Sequence, residues 1–312
     1  MTRAFVFPGQ GAQTIGMGRE LADAYPAARD VFDAVDTALG EDLSGLIWNG
    51  DADTLTLTRN AQPALMATSI AALRALEAER VSVKDHAAFV AGHSLGEYSA
   101  LVAAGALDLG DAARLLRTRG EAMQSAVPVG EGAMAALLGL GLEEARKIAR
   151  EAAQGQVCEA ANDNDPTQVV ISGHRDAVER ALPIAKDHGA KRAMLLPVSA
   201  PFHCKLMEPA ARAMAEALDD VHIEDPVLPV IANVTAAPVY DARDIRTLLV
   251  DQVCGAVRWR ESVLRMADEG VTEIWEIGAG KALSGMIRRI DKSLATRAIG
   301  LPAEVAEAAQ SL

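Results

Sequence analysis

A serine framed by two glycines, Gly92-His93-Ser94-Leu95-Gly96, carries the plainest chemical meaning in this chain. The spacing is G-x-S-x-G, the pattern of a nucleophile elbow. There a tight strand-to-helix turn holds the serine in a strained conformation and lifts its hydroxyl clear of the sheet. The flanking sequence has the shape this requires. Ala87 to Ala91 is a short apolar run suited to a buried parallel strand, and Glu97 to Ala104 is a good helix former. The glycines let crossing backbones approach, and the new helix offers free N–H groups beside the nucleophile for an oxyanion. Ser94 is therefore the predicted nucleophile, and a purely structural Gly-Ser-Gly turn is the alternative.

A nucleophilic serine needs a base. Of the six histidines, His203 in Ser199-Ala200-Pro201-Phe202-His203-Cys204 is the best placed, at a break between a strand and the next helix, where a side chain can face a cleft. A helix-capping histidine is the competing reading, and His93, inside the elbow, is the rival base. No third member of a triad is legible. Asp163, Asp165, Asp176 and Asp187 lie between Ser94 and His203, but the pattern puts all four in loops or helices of the middle segment. None reads as an acid at the end of a core strand.

The elements that must position these residues alternate along the chain. Ala4 to Phe7 reads as a strand ended by Pro8-Gly9-Gln10-Gly11. Helical patterns follow over Gly18–Leu39 and Pro63–Glu79, then the elbow, then an acid-capped helix over Asp111–Ser125. This is the signature of an α/β fold with a mostly parallel sheet covered on both faces. After the breaker cluster Pro128–Gly132 the pattern changes to strand 133–139, helix 143–153, strands 157–161 and 168–172, helix 176–188 and strand 193–198. The order βαββαβ predicts an inserted ferredoxin-like small domain at 128–199, between two parts, 1–127 and 200–312, of a larger α/β domain. The alternation then resumes with helix 205–218, strand 228–232, helices near 244–252 and 258–269, strand 273–277 and helix 281–291. Residues 304–312 read as a surface helix or frayed tail.

Composition narrows the class. The chain has 312 residues, half of them hydrophobic but only 4% aromatic, so Ala, Leu and Val must do the packing. A formal charge of -13 and the lack of a Lys/Arg block argue against nonspecific nucleic-acid binding. Three widely spaced cysteines without a C-x-x-C pair give no support to a disulfide framework or zinc site. The apolar run after Arg3 is stopped at Pro8, too short for a signal segment, and no run approaches the ~18 residues of a membrane span. The expectation is a soluble cytoplasmic protein without metal or redox cofactor.

Several further motifs join the elbow: Phe7-Pro8-Gly9-Gln10-Gly11-Ala12-Gln13, Glu97-Tyr98, Arg119-Gly120, Ala161-Asn162 with Gln168-Val169-Val170-Ile171-Ser172-Gly173, Pro201-Phe202-His203, and Gln252. In this order, over essentially the whole chain, they resemble the malonyl-CoA:acyl carrier protein transacylase family, the acyltransferases that load extender units for fatty acid synthesis. The resemblance implies a hydrolase-like α/β core with an inserted ferredoxin-like domain. It implies Ser94 as nucleophile, His203 as base and then acid, and the amides of Gln10 and Leu95 as oxyanion hole. It also implies Arg119 as ligand of the malonyl carboxylate, Asn162 and Phe202 as substrate-binding residues, and a backbone carbonyl of Gln252 that orients the imidazole.

Malonyl-CoA and an acyl carrier protein are then the implied partners. Chemistry favours Arg119, because a guanidinium binds a carboxylate through two parallel hydrogen bonds. By position alone, close to Arg114 and Arg117 on one helix, it reads as part of a solvated face. A discrete acyltransferase of a polyketide synthase would carry the same motifs, and a serine thioesterase would share Ser94 and His203. The helix near Lys281 brings Lys281, Arg288 and Lys292 together, with Arg289 adjacent, as a candidate basic patch for an acidic carrier.

Overall fold

The computed structural model describes residues 2–312. Among these, the strands in chain order are β1 (Arg3–Phe7), β2 (Phe89–Gly92), β3 (Gly132–Leu138), β4 (Cys158–Asp165), β5 (Gln168–His174), β6 (Arg192–Leu195), β7 (Val230–Ala232), β8 (Ala237–Val239), β9 (Glu273–Ile277) and β10 (Ala295–Ile299). They form two sheets. The larger has the order β10-β9-β1-β2-β7-β8, parallel throughout except for the antiparallel edge pair β7–β8. The smaller, β4-β5-β3-β6, is antiparallel.

The centre of the large sheet is buried on both faces, which is why β2, β7 and β1 from Ala4 onward read as unbroken apolar runs. In β1, Phe5 and Phe7 join the main core with the helix Thr58–Ala78, while Ala4 and Val6 face a second core around Trp259, Val263 and Ile287. The small sheet divides its faces. Ala133, Ala135 and Leu137 of β3 pack with Ile148 and Val178 on the helices Leu142–Ala153 and Arg175–Asp187, whereas Met134 and Ala136 point the other way, into a cavity against the large sheet. Strand β4 hooks that sheet onto the rest. Asp163 N–H donates to the Val257 carbonyl and Val257 N–H to the Ala161 carbonyl, both at 2.9 Å.

Several expectations need correction. The single helix over 18–39 is two, Arg19–Ala24 and Pro26–Leu39. Tyr25 before Pro26 is extended, as the proline ring requires of its predecessor. The helix placed at Pro63 begins at Thr58, with Pro63 inside it. Proline leaves the carbonyl four residues earlier without its helical donor, and here Arg117 Nη1 donates to that Arg59 carbonyl at 2.7 Å. Strands β8 and β10 were not legible. One is a three-residue edge strand containing Pro238, and the other carries Arg297 in a half-exposed edge position.

Strand β4 runs four residues past its expected end, so Asp163 and Asp165 lie in a strand rather than in loops. Both are buried, paired with Arg260 and Arg289 at 2.9 and 2.7 Å. The C-terminal residues form a helix, Pro302–Gln310, with Val305 and Ala308 buried. No helix among the described residues is long and apolar enough to cross a membrane.

Candidate active site

The elbow sits at the carboxyl end of β2, the edge where parallel α/β sheets place their ligands. Ser94 has a φ of +53°, a conformation that costs a side chain about 1–3 kcal/mol and must be held by its surroundings. Two features hold it. A Cβ on Gly92 would lie 1.9 Å from the Gly96 carbonyl, and one on Gly96 would lie 2.3 Å from the Phe7 carbonyl, so only glycine permits this crossing. Asn233, just past the end of β7, clamps the turn from outside. Its Oδ1 accepts from Ser94 N–H and its Nδ2 donates to the Gly92 carbonyl, each at 2.7 Å.

His203 lies 109 residues from Ser94 in sequence, and its Nε2 lies 2.7 Å from Ser94 Oγ. Its Nδ1 faces two carbonyl oxygens, Gln252 at 2.9 Å and Gly255 at 3.2 Å. Carbonyls only accept, so Nδ1 carries the proton, Nε2 is the acceptor, and Ser94 O–H donates to it. Burial, reinforced by the positive charge of Arg119, pushes the imidazole down to about 3, so it is neutral at physiological pH. His93, the rival, is placed differently. Its Nε2 meets Asn164 Oδ1 at 2.9 Å and its ring lies beside Trp259.

Arg119 is not on a solvated face: it is 1% exposed, and Arg117 is buried as well. Its Nη1 donates to Gln62 Oε1 at 2.7 Å, and its Nη2 donates to Gln252 Oε1 at 2.8 Å and to Ser94 Oγ at 3.3 Å. All three partners are neutral, and among the described residues no carboxylate pairs with it directly. A buried guanidinium left this way is costly unless an anion arrives.

Ser94, His203 and Arg119 open onto one cavity of about 490 Å³ between the two sheets. Gln10, Leu95, Asn162 and Phe202 line the same space, so the structure brings together every predicted site residue. Gln252 reaches the others from behind, fully buried. Among the described residues no protein acceptor takes the amide of Gln10 or of Leu95. Sequence reasoning missed Asn233 and Gln62. Only Asn233 had a legible signal, as a polar residue immediately beyond a core strand.

A strained serine, a neutral imidazole on its hydroxyl and an unpaired guanidinium beside it define a covalent acyl-transfer site. The chain belongs to the acyl transferase family, whose domain matches residues 4–295. Among its relatives, the malonyl CoA-acyl carrier protein transacylase of Bacillus subtilis is 48% identical over 310 residues, covering 99% of this chain and 96% of the relative. The Escherichia coli K12 protein of the same name is 46% identical over 305 residues, with 98% of each covered. The crystal structure of acyl-carrier-protein-S-malonyltransferase from Bartonella henselae superposes with a TM-score of 0.97 at 53% identity, covering 100% of this chain and 99% of that one. A malonyl-transacylase solved in complex with its type II PKS acyl-carrier protein also gives 0.97, at 42% identity, with both chains fully covered.

Proposed function

We propose that this chain moves a malonyl group from malonyl-CoA to the phosphopantetheine thiol of an acyl carrier protein, through a malonyl ester on Ser94. The observation that carries the reading is the buried Arg119 guanidinium, without a carboxylate partner, in the cavity of the nucleophile. In the first half-reaction the Ser94 proton passes to His203 Nε2 as Oγ bonds to the thioester carbonyl carbon. The amides of Gln10 and Leu95 receive the oxyanion. The C–S bond then breaks, and the imidazolium returns its proton to the coenzyme A sulfur. The second half runs in reverse: the carrier thiol loses its proton to His203, its sulfur attacks the ester, and Ser94 Oγ leaves reprotonated.

Arg119 takes the free malonyl carboxylate and fixes the acyl group against water, while Asn162 and Phe202 shape the space around it. The incoming carboxylate also offsets the positive charge that weakens His203, so the base strengthens when a diacid thioester is bound. The Gln252 carbonyl keeps Nδ1 protonated throughout. Fatty acid synthesis is the setting we favour, in the cytoplasm. A carrier of a polyketide synthase is the second reading, and the relative solved with a type II PKS carrier supports it.

We also read residues 1–127 and 200–312 as a hydrolase-like domain and 128–199 as an inserted ferredoxin-like one. The strand order β4-β5-β3-β6, with two helices on one face, supports this division.

Incubation with radiolabelled malonyl-CoA, first without and then with a carrier protein, tests the function. Label trapped on wild-type protein, absent from Ser94→Ala and discharged to the carrier thiol, is the expected result. Free malonate released at the rate of coenzyme A would instead mean a thioesterase.

A further inference from the structure

Glu97 is an ionisable side chain with no part in the chemistry above, yet it is 3% exposed and lies at the centre of the site's hydrogen bonds. It stands three residues beyond the nucleophile, in the first turn of the helix Gly96–Ala103. Its Oε2 accepts from Gln252 Nε2 at 2.7 Å and from Asn233 N–H at 3.1 Å. The same Gln252 amide offers its other end, Oε1, to Arg119 Nη2. A glutamine amide has one accepting and one donating end, and a half-turn about its last bond exchanges them. Turned that way, the NH2 would face the guanidinium, two donors in contact with nothing between them.

On the far side a single oxygen, Glu97 Oε2, accepts from both Gln252 Nε2 and Asn233 N–H, and this excludes that orientation. The Ser94 carbonyl, which accepts from Gln252 Nε2 at 3.0 Å, adds to the same constraint. We propose that Glu97 is a positioning residue for the carboxylate-binding arginine: it locks the Gln252 amide so that Oε1 holds Arg119 in line with Ser94 Oγ.

The arrangement explains why a carboxylate is buried here. A direct Glu97–Arg119 ion pair would occupy the guanidinium. Placing one amide between them keeps the compensating charge close while leaving the guanidinium open to an anion in the cavity. Burial pushes Glu97 up to about 7 despite its donors, and a proton on Oε1 would leave Oε2 accepting from Gln252 and Asn233, so the lock does not require the charge. The elbow itself depends less on Glu97, because both side-chain bonds of Asn233, to Ser94 N–H and the Gly92 carbonyl, remain without it.

The inference rests on the proposed reading of Arg119 as the malonyl ligand, and the test separates the two. The kcat/KM for acylation of Ser94 is measured with malonyl-CoA and with acetyl-CoA, and their ratio is the readout. Glu97→Met should lower the ratio about tenfold, chiefly through malonyl-CoA, while Glu97→Gln, whose amide oxygen can accept both donors, should stay within about threefold of wild type. Gln252→Met keeps the backbone carbonyl for His203 and should lower the ratio as Glu97→Met does. The double variant should be no worse than either single one, as members of one relay behave. Should Glu97→Met fail to fold, Glu97→Leu and Glu97→Ala, which likewise offer Gln252 no acceptor, take its place in the same comparison.

Equal losses on both substrates, an unchanged ratio in Gln252→Met, or a tenfold loss in Glu97→Gln would overturn the positioning role. If wild type shows no preference for malonyl-CoA, the reading of Arg119 falls and this inference with it. A wild-type preference left intact by Gln252→Met would sink the inference alone.

Discussion

Arg119 Nη2 and Ser94 Oγ lie 3.3 Å apart, so the group that would hold the acyl carboxylate touches the group that would carry the acyl carbon. Malonate separates its carboxylate from its thioester carbonyl by a single methylene. A cation and a nucleophile that grip both must therefore be near neighbours, and here they are. Replacing Arg119 with Ala should reduce kcat/KM for malonyl-CoA by about one to two decades and leave acetyl-CoA far less affected. Parallel measurements on the two thioesters check this, and equal losses would mean an arginine that serves only the packing.

Phe202 precedes the base and lines the cavity, with only 8% of its surface exposed. A ring beside the acyl α-carbon leaves no room for a methyl branch, a discrimination of about 1–3 kcal/mol. Phe202→Ser should shift the preference toward methylmalonyl-CoA in a competition assay. An unaltered product ratio would mean the ring does not reach the α-carbon.

The elbow can be tested without touching the chemistry. Gly92→Ala places a Cβ 1.9 Å from the Gly96 carbonyl, backbone against backbone, where no rotamer change relieves the contact. A loss of more than ~3 kcal/mol in urea denaturation, or failure to accumulate soluble protein, is expected. Near-wild-type stability would show that the crossing has more room than its geometry implies.

Glu97 gives a pH signature in stability. Its folded pKa, about 7, lies above its ordinary 4.5, so the folded state keeps its proton longer than the unfolded chain. That contribution is fully present below about pH 4.5 and is lost as pH rises through 7. Compared with Glu97→Gln, which cannot titrate, wild type should lose ground between pH 5 and 8, by an amount on the order of a few kcal/mol. Thermal melts of both proteins across this range follow the difference, in which His203 and the other shared groups largely cancel. A gap that does not change with pH would place the carboxyl in an ordinary environment.

The basic patch is smaller than the sequence suggested. The helix spans only Ala282–Ile290, so Lys281 and Lys292 flank it rather than share its face with Arg288; all three are exposed, but Arg289 is tied to the buried Asp165. On a chain of charge -13, these three cations, none paired with a carboxylate among the described residues, are a candidate dock for an acidic carrier. Reversing charge at Arg288 and Lys292 should raise KM for the carrier protein at low ionic strength and leave loading from malonyl-CoA nearly unchanged. Unaltered transfer would put the dock elsewhere.

Much of this protein is written locally. The elbow is legible because its two glycines stand four residues apart, although only Gly92 answers to the turn itself, while Gly96 answers to the Phe7 carbonyl of β1. The centre of the parallel sheet is legible because β2, β7 and β1 from Ala4 onward are apolar at every position, as burial on both faces favours. The order βαββαβ follows from the same near-neighbour periodicity. What the sequence left undecided are contacts between polar groups far apart in the chain. Pro63 read as a helix start because the donor that rescues the Arg59 carbonyl, Arg117, lies 58 residues from it. Arg119 read as solvated because nothing nearby reveals that Gln62 and Gln252 enclose it, and Asp163 and Asp165 read as loop acids because their arginines come 97 and 124 residues later. A buried charge needs its partners only in space, so its local sequence looks like that of any surface residue. Only the packing of the two sheets decides which charges are buried together.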